Sequence, residues 1–261
     1  MDLGIRDKLA LVTGASQGIG RAVALTLALE GAKVLAVARS REKLDSLADE
    51  ARKSGREIHP LSADLSTPAG LENVIQAANE LGTVELLLAN TGGPKPGQAQ
   101  ALSLDEFRQA AEDLLYPMVQ LSQWALGGMK GAGFGRILFI TSLAVKEPIE
   151  NLALSNTLRA AVTGYAKTLS REVAAQGITV NTLGPGYTKT ERVEELFSFR
   201  AKQKGIGLEA AYAEQASQIP AARLGKPQEI ADVAAFLLSA RASYLTGQSI
   251  VVDGGYLHGL L

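Results

Sequence analysis

Thr13-Gly14-Ala15-Ser16-Gln17-Gly18-Ile19-Gly20 is the stretch of this chain best suited to holding a charged ligand. Glycine lets a chain reverse sharply at little steric cost. Gly18 and Gly20 also let a following helix approach the backbone closely. A helix that opens here offers free N–H groups and a partial positive charge, which together suit a pyrophosphate. Three glycines in a loop are weak evidence for a ligand. The same three after a strand and before a helix are much stronger. The competing reading is a tight structural turn with no ligand. Other chemistries are missing their residues. The chain has no cysteine, which excludes disulfides, thiol nucleophiles and thiolate metal sites. Its two histidines, His59 and His258, are too few for a multi-histidine metal centre, so no metal is expected.

The elements that must position the turn follow from the hydropathy pattern. Short apolar runs at 9–13, 33–38, 84–90, 136–142, 178–182 and 249–252 read as strands, with a weaker one at 58–61. Longer amphipathic stretches at 18–30, 41–53, 68–81, 104–129, 152–175 and 227–239 read as helices. Near-continuous apolar strands separated by helices imply a parallel sheet covered on both faces. Right-handed crossovers make that sheet doubly wound. The expectation is an α/β fold: one Rossmann domain over residues 1–261, of about seven strands. Residues 187–222 break the regularity. They carry Glu191, Arg192, Glu194, Glu195, Arg200, Lys202 and Lys204 with Phe197, Phe199 and Tyr212 between them. An insertion of this size at a strand's carboxyl end suggests a lid or substrate loop. The plainer reading is a solvated helical pair.

Basic and acidic side chains nearly balance, 26 against 27, for a net charge of -1. That argues against nucleic acid as a partner. No apolar run approaches the ~18–20 residues needed to cross a bilayer, so no membrane partner is expected. Met1-Asp2-Leu3-Gly4 has neither the basic nor the apolar region of a secretory signal, and a cytoplasmic location is expected.

The glycines are spaced Gly-x3-Gly-x-Gly, and here the chain resembles the short-chain dehydrogenase/reductase family. The resemblance extends over essentially the whole chain. Asp64-Leu65 matches the family's adenine-contacting acidic pair, and Ala89-Asn90-Thr91-Gly92 its Asn-Asn-Ala-Gly segment. Pro185-Gly186, followed by Thr188 and Thr190, matches the loop near the nicotinamide. Residues 223–230 and 246–255 match the C-terminal signatures. The general likeness is to β-ketoacyl-acyl-carrier-protein reductases. The resemblance implies a nicotinamide cofactor held by Gly14, Ser16, Gln17, Gly18, Ile19, Gly20, Asp64, Leu65, Asn90, Gly92, Pro185, Gly186, Thr188 and Thr190. An NAD site usually places an acid at the end of the second strand, to bind the ribose 2′-hydroxyl. Here that strand ends Val37-Ala38-Arg39-Ser40. The planar fork of Arg39 suits a 2′-phosphate, and Ser16 and Ser40 add hydroxyls, so NADP is expected over NAD.

The resemblance also implies an Asn-Ser-Tyr-Lys catalytic tetrad, and only the serine is present. Ser142 keeps its place. Ser155 stands thirteen residues on in place of tyrosine, Arg159 four further in place of lysine, and Leu114 in place of asparagine. A phenol ionises near ~10 and an aliphatic hydroxyl far above it, so Ser155 cannot simply take over as general acid. Arg159 keeps a positive charge on the same helix face, where it can bind the ribose or a substrate anion. Tyr116, Tyr187, Lys146 and Glu147 are possible stand-ins, with ordinary packing as the competing reading for each. Tyr165 lies almost three turns, roughly 15 Å, beyond Ser155 and is rejected. Pro117 removes an N–H from the long fourth helix and frees the Asp113 carbonyl, which could rebuild the kink that the family places at its asparagine.

Two functions stay open at this stage. One is an NADP-linked reductase of a carbonyl or alcohol substrate, catalysed by Ser142, Ser155 and Arg159. The other is a cofactor-binding pseudoenzyme that serves as a sensor or partner subunit. Leu121, Trp124, Ala160, Val162 and Leu169 place apolar surface on more than one face of two long helices, and a homotetramer is expected.

Overall fold

Apolar runs too short for helices form the strands of this protein. A computed structural model of the chain describes residues 1–260. The strands are β1 (Leu9–Thr13), β2 (Lys33–Ala38), β3 (Ile58–Ser62), β4 (Val84–Ala89), β5 (Gly135–Ile140), β6 (Ile178–Pro185) and β7 (Ser249–Val252). They form one sheet in the order β3-β2-β1-β4-β5-β6-β7, with every neighbouring pair parallel. The chain winds outward from β1 through β2 to β3, then returns to lay β4 on the other side of β1. That reversal opens a crevice beyond the carboxyl ends of β1 and β4, the usual ligand position in such sheets.

Side-chain alternation along β1 shows why both faces are covered. Leu9 and Leu11 enter a core shared with α3 (Pro68–Leu81), α4 (Leu104–Ala132) and α5 (Ala153–Val173). Ala10 and Val12 enter the opposite core, with α1 (Gly18–Leu29), α2 (Arg41–Lys53) and α8 (Pro227–Leu237). A third, smaller apolar cluster lies under α6 (Glu191–Lys204) and α7 (Leu208–Ser217) and includes Tyr187, Phe197 and Leu143. The 187–222 stretch is therefore two helices on their own core, and it is less irregular than its charge pattern suggests.

Other expectations are refined in detail. β5 stops at Ile140, and Ser142 lies beyond the strand as the cap of a short 3-10 turn, Leu143–Val145. β6 extends to Pro185, so the Pro-Gly loop begins on the strand itself. Leu121, Val162 and Leu169 point into the protein's own core. They supply no surface for assembly, because the broad apolar stripe of a helix beside a sheet serves internal packing first. Trp124 is half-buried against that core, and Ala160 is exposed. α4 runs unbroken through the buried Pro117.

A close backbone approach that shapes the site is between α1 and the glycine turn. A Cβ on Gly20 would fall on the Gly14 carbonyl oxygen. Gly20→Ala should therefore lower stability by about 1–3 kcal/mol in urea unfolding, an overpacking effect. Gly127→Ala in α4, where an added Cβ meets nothing within 4 Å, should raise stability by about 0.5–1 kcal/mol. Equal effects at the two positions would refute this account of the turn.

Candidate functional site

The crevice holds a cavity of about 670 Å³. Gly14, Ser16, Gln17, Gly18 and Ile19 line it from the first turn, and Arg39 from the end of β2. Asp64 and Leu65 line it from beyond β3, Asn90 and Gly92 from beyond β4, and Pro185, Gly186, Thr188 and Thr190 from beyond β6. Ser142, Ser155 and Arg159 line the same space. Of the residues assigned from the sequence to the cofactor or the tetrad positions, only Gly20 is not on the wall. It stands behind Gly14 and acts by letting the helix come close.

The turn is arranged as an anion cradle. Gly14 and Gly18 hold φ of 62° and 55°, a left-handed backbone that favours glycine. A Cβ on Gly14 would stand 2.7 Å from Asn90 Nδ2, so the Asn90 side chain closes directly over the turn. Thr13 fixes Asn90 from below: its hydroxyl donates to the Asn90 carbonyl at 2.7 Å and accepts from the Asn90 N–H at 2.8 Å. Helices α2, α3, α4 and α6 are each capped by a Ser or Thr side chain. The N-cap of α1, Gln17, makes no side-chain cap hydrogen bond. Its first-turn N–H groups are thus left for a ligand. Thr91 Oγ1 on the same wall is buried with no hydrogen-bond partner. These features fit a dinucleotide. Glu191 Oε2 also lies near Gly18, but its exposed side chain is free to turn away from a phosphate.

The far end of the cleft carries Ser142, Ser155 and Arg159. Ser142 Oγ accepts from the Ala144 N–H at 3.1 Å, which leaves its own proton to donate. Ser155 is half-buried on the first turn of α5. Arg159, one turn on, is 7% exposed and donates from Nη1 to the Ile140 carbonyl at 2.8 Å. It forms no ion pair with any described residue. Burial, and then the positive charge of Arg192, bring its pKa down to about 10. It stays charged near neutral pH, as an unneutralised cation facing the cleft. Asp64 is held below the usual carboxylate range, chiefly by the Ser66 hydroxyl at 2.8 Å and the Ser66 N–H at 3.1 Å.

The structure also sorts the stand-ins. Tyr165 is outside the cleft, bonded to Ser122 at 2.9 Å and packed edge-on to Phe139. Tyr116 is exposed, and neither it nor Lys146 reaches the wall. Glu147 lines an adjoining cavity, and Tyr187 lines both spaces. Asp113 and Leu114 are on the wall, so Pro117 frees a carbonyl next to the site. The sequence reading missed Lys43 and Arg192. Lys43 Nζ donates to Gln17 Oε1, which links α2 to the glycine turn. Arg192 Nη2 donates to the Pro94 carbonyl at 2.8 Å and so spans the cleft. Lys43 was findable, one turn beyond Arg39. Nothing local marks Arg192.

The family model described as enoyl-(acyl carrier protein) reductase matches residues 14–257. The chain belongs to the short-chain dehydrogenase/reductase family. It is 35% identical over 254 residues to the 3-oxoacyl-[acyl-carrier-protein] reductase FabG of Escherichia coli, covering 97% of this chain and 98% of that protein. It is 31% identical over 258 residues to the NADPH-dependent reductase BacG of Bacillus subtilis, covering 97% and 99%. The structure matches L-sorbose reductase from Gluconobacter frateurii, solved with NADPH and L-sorbose, at a TM-score of 0.94 and 30% identity over the whole of both chains. Among the described residues, no helix is long and apolar enough to cross a membrane and no metal-binding cluster is found.

The charge on Arg159 gives a test. Its pKa is lower folded than unfolded, so the native state disfavours the charged form. That penalty is full below pH 10 and is relieved only as pH rises above it. Arg159→Met should therefore stabilise the ligand-free protein by about 1–4 kcal/mol at pH 7 and weaken cofactor binding. Denaturant unfolding and calorimetry read the two effects, and a destabilised variant would refute the unpaired-cation account.

Proposed function

We propose that this protein is an NADPH-dependent carbonyl reductase of the short-chain family, with a rebuilt proton-delivery site. The observation that carries the reading is the single cleft. It brings nucleotide-holding residues from the ends of β1, β2, β3 and β4 together with Ser142, Ser155 and Arg159. Arg39, Ser40 and Lys43 gather where a 2′-phosphate would lie, with no acid at the end of β2. The NADPH-dependent relatives support the same choice of cofactor.

A nicotinamide cofactor, when bound, would supply or accept the hydride. The chain's own residues do the rest. The free proton of Ser142 points the substrate oxygen, and Arg159 stabilises the negative charge that develops there. The Ser155 hydroxyl relays a proton from water, because its own pKa rules it out as the source. Arg192 ties α6 to the opposite wall, so α6 and α7 act as a lid that excludes solvent. In this reading the protein is cytoplasmic and assembles as a homotetramer through the outer faces of α4 and α5 and the edge of β7.

NADPH oxidation against ketones, β-ketoacyl thioesters and quinones tests the proposal. Ser142→Ala should slow turnover by about 10²–10³-fold, the usual loss for one oxyanion donor. Undiminished turnover in both Ser142→Ala and Ser155→Ala would reject the proton route. Arg39→Asp should invert the preference for NADP over NAD, and tighter NAD binding by the unmodified protein would defeat the cofactor assignment.

A further inference from the structure

A second cavity of about 900 Å³ opens beside the cleft, between α6, α7 and the segment after β5. Leu143, Ile149, Leu152, Tyr187 and Leu196 line both spaces, so the two adjoin. Tyr187, Phe197, Phe199 and Tyr256 line part of the second one, and a single guanidinium, that of Arg200, lies among them. Its central carbon is 5.5 Å from the Phe197 ring and 5.9 Å from the Tyr187 ring.

Of the cations on α6 without an ion pair, Lys202 is exposed, whereas Arg200 is half-buried. Lys204, one turn on, pairs with Glu214 at 2.5 Å, and Arg192 pairs with Glu195 at 3.6 Å. Arg200 forms no ion pair with any described residue. Its one hydrogen bond is long, from Nη1 to Gln215 Oε1 at 3.5 Å, and Gln215 is itself buried. The fork also approaches the Tyr187 hydroxyl, and no carboxylate among the described residues neutralises it. A half-buried, unpaired guanidinium between rings favours a planar anion, because the surrounding dielectric is low and the fork matches a carboxylate. Glu147 and Glu150 stand on the rim but are exposed, so water screens them.

We infer that this cavity seats the distal end of the substrate and that Arg200 recognises a carboxylate there. The substrate class is a carbonyl compound whose carboxylate is separated from the reacting carbon by an apolar or aromatic segment. Tyr187, shared by the two spaces, marks where that segment passes. The position of the carbonyl rests on the reductase reading, whereas the anion site stands on Arg200 alone.

Calorimetry on the NADP-loaded protein tests this without turnover. The probes are 3-phenylpropanoate and its neutral amide, 3-phenylpropanamide. The carboxylate should bind at least about tenfold more tightly, as expected for a charge-assisted contact. Arg200→Gln should abolish that preference, and Arg200→Lys should keep part of it. NADP affinity, measured for each variant, reports whether the fold is intact. If Arg200→Gln does not fold, Arg200→Lys decides, since loss of the fork should reduce the preference. Equal binding of the two probes, no binding of either, or a preference that survives the substitutions would overturn the proposal. Tighter binding of 3-phenylpropylammonium would overturn it in favour of Glu147 and Glu150. Failure of the reductase reading appears separately, as absence of NADPH oxidation with every carbonyl compound.

Discussion

Helix α1 can start where it does because Gly20 has no side chain. The Gly14 carbonyl occupies the space a Cβ would need, and Asn90 closes over both. That contact fixes the direction of α1, and with it the uncapped N–H groups that face the cleft. It also sets the seam between β1 and β4, since Thr13 reaches across to hold the Asn90 backbone. The nucleotide end of the site is thus built from backbone at close quarters, where substitution has little room.

The other end is built from charge. The interior of an α/β domain penalises an unpaired cation heavily. Arg159 nevertheless lies buried with one carbonyl partner, and Arg192 adds a second positive charge nearby. A protein that keeps such an arrangement gives up stability in the empty state, and an anionic ligand returns it on binding. Arg200 repeats the pattern in the adjoining cavity with less burial. The whole chain carries a net charge of -1, so the positive character of this cleft is local and owes nothing to overall charge.

The relatives describe reductases with NADPH or acyl-carrier-protein substrates, and the fold is shared closely with them. In the proposed reading, the chemistry at Ser142, Ser155 and Arg159 differs from one based on a phenol. A serine with its lone pair engaged by Ala144 can orient a substrate oxygen, but it is a poor proton source at neutral pH.

The sequence by itself determined the strands, their order of appearance, the covered parallel sheet and a set of glycine-turn and strand-end residues that line the cleft. Those features rest on local periodicity and on glycines whose backbone needs are fixed within a few residues. Only the tertiary structure decided which charges are paired. Arg192 reaches Pro94 across 98 positions of chain, and Arg200 meets rings from two different segments. Nothing in their neighbouring residues distinguishes them from Lys204, which has a carboxylate partner. The same holds for Leu121, Val162 and Leu169, whose apolar character fits a core or an interface equally well until the sheet is in place. Burial and charge neutralisation are properties of assembled surfaces, so a pattern read along the chain cannot contain them.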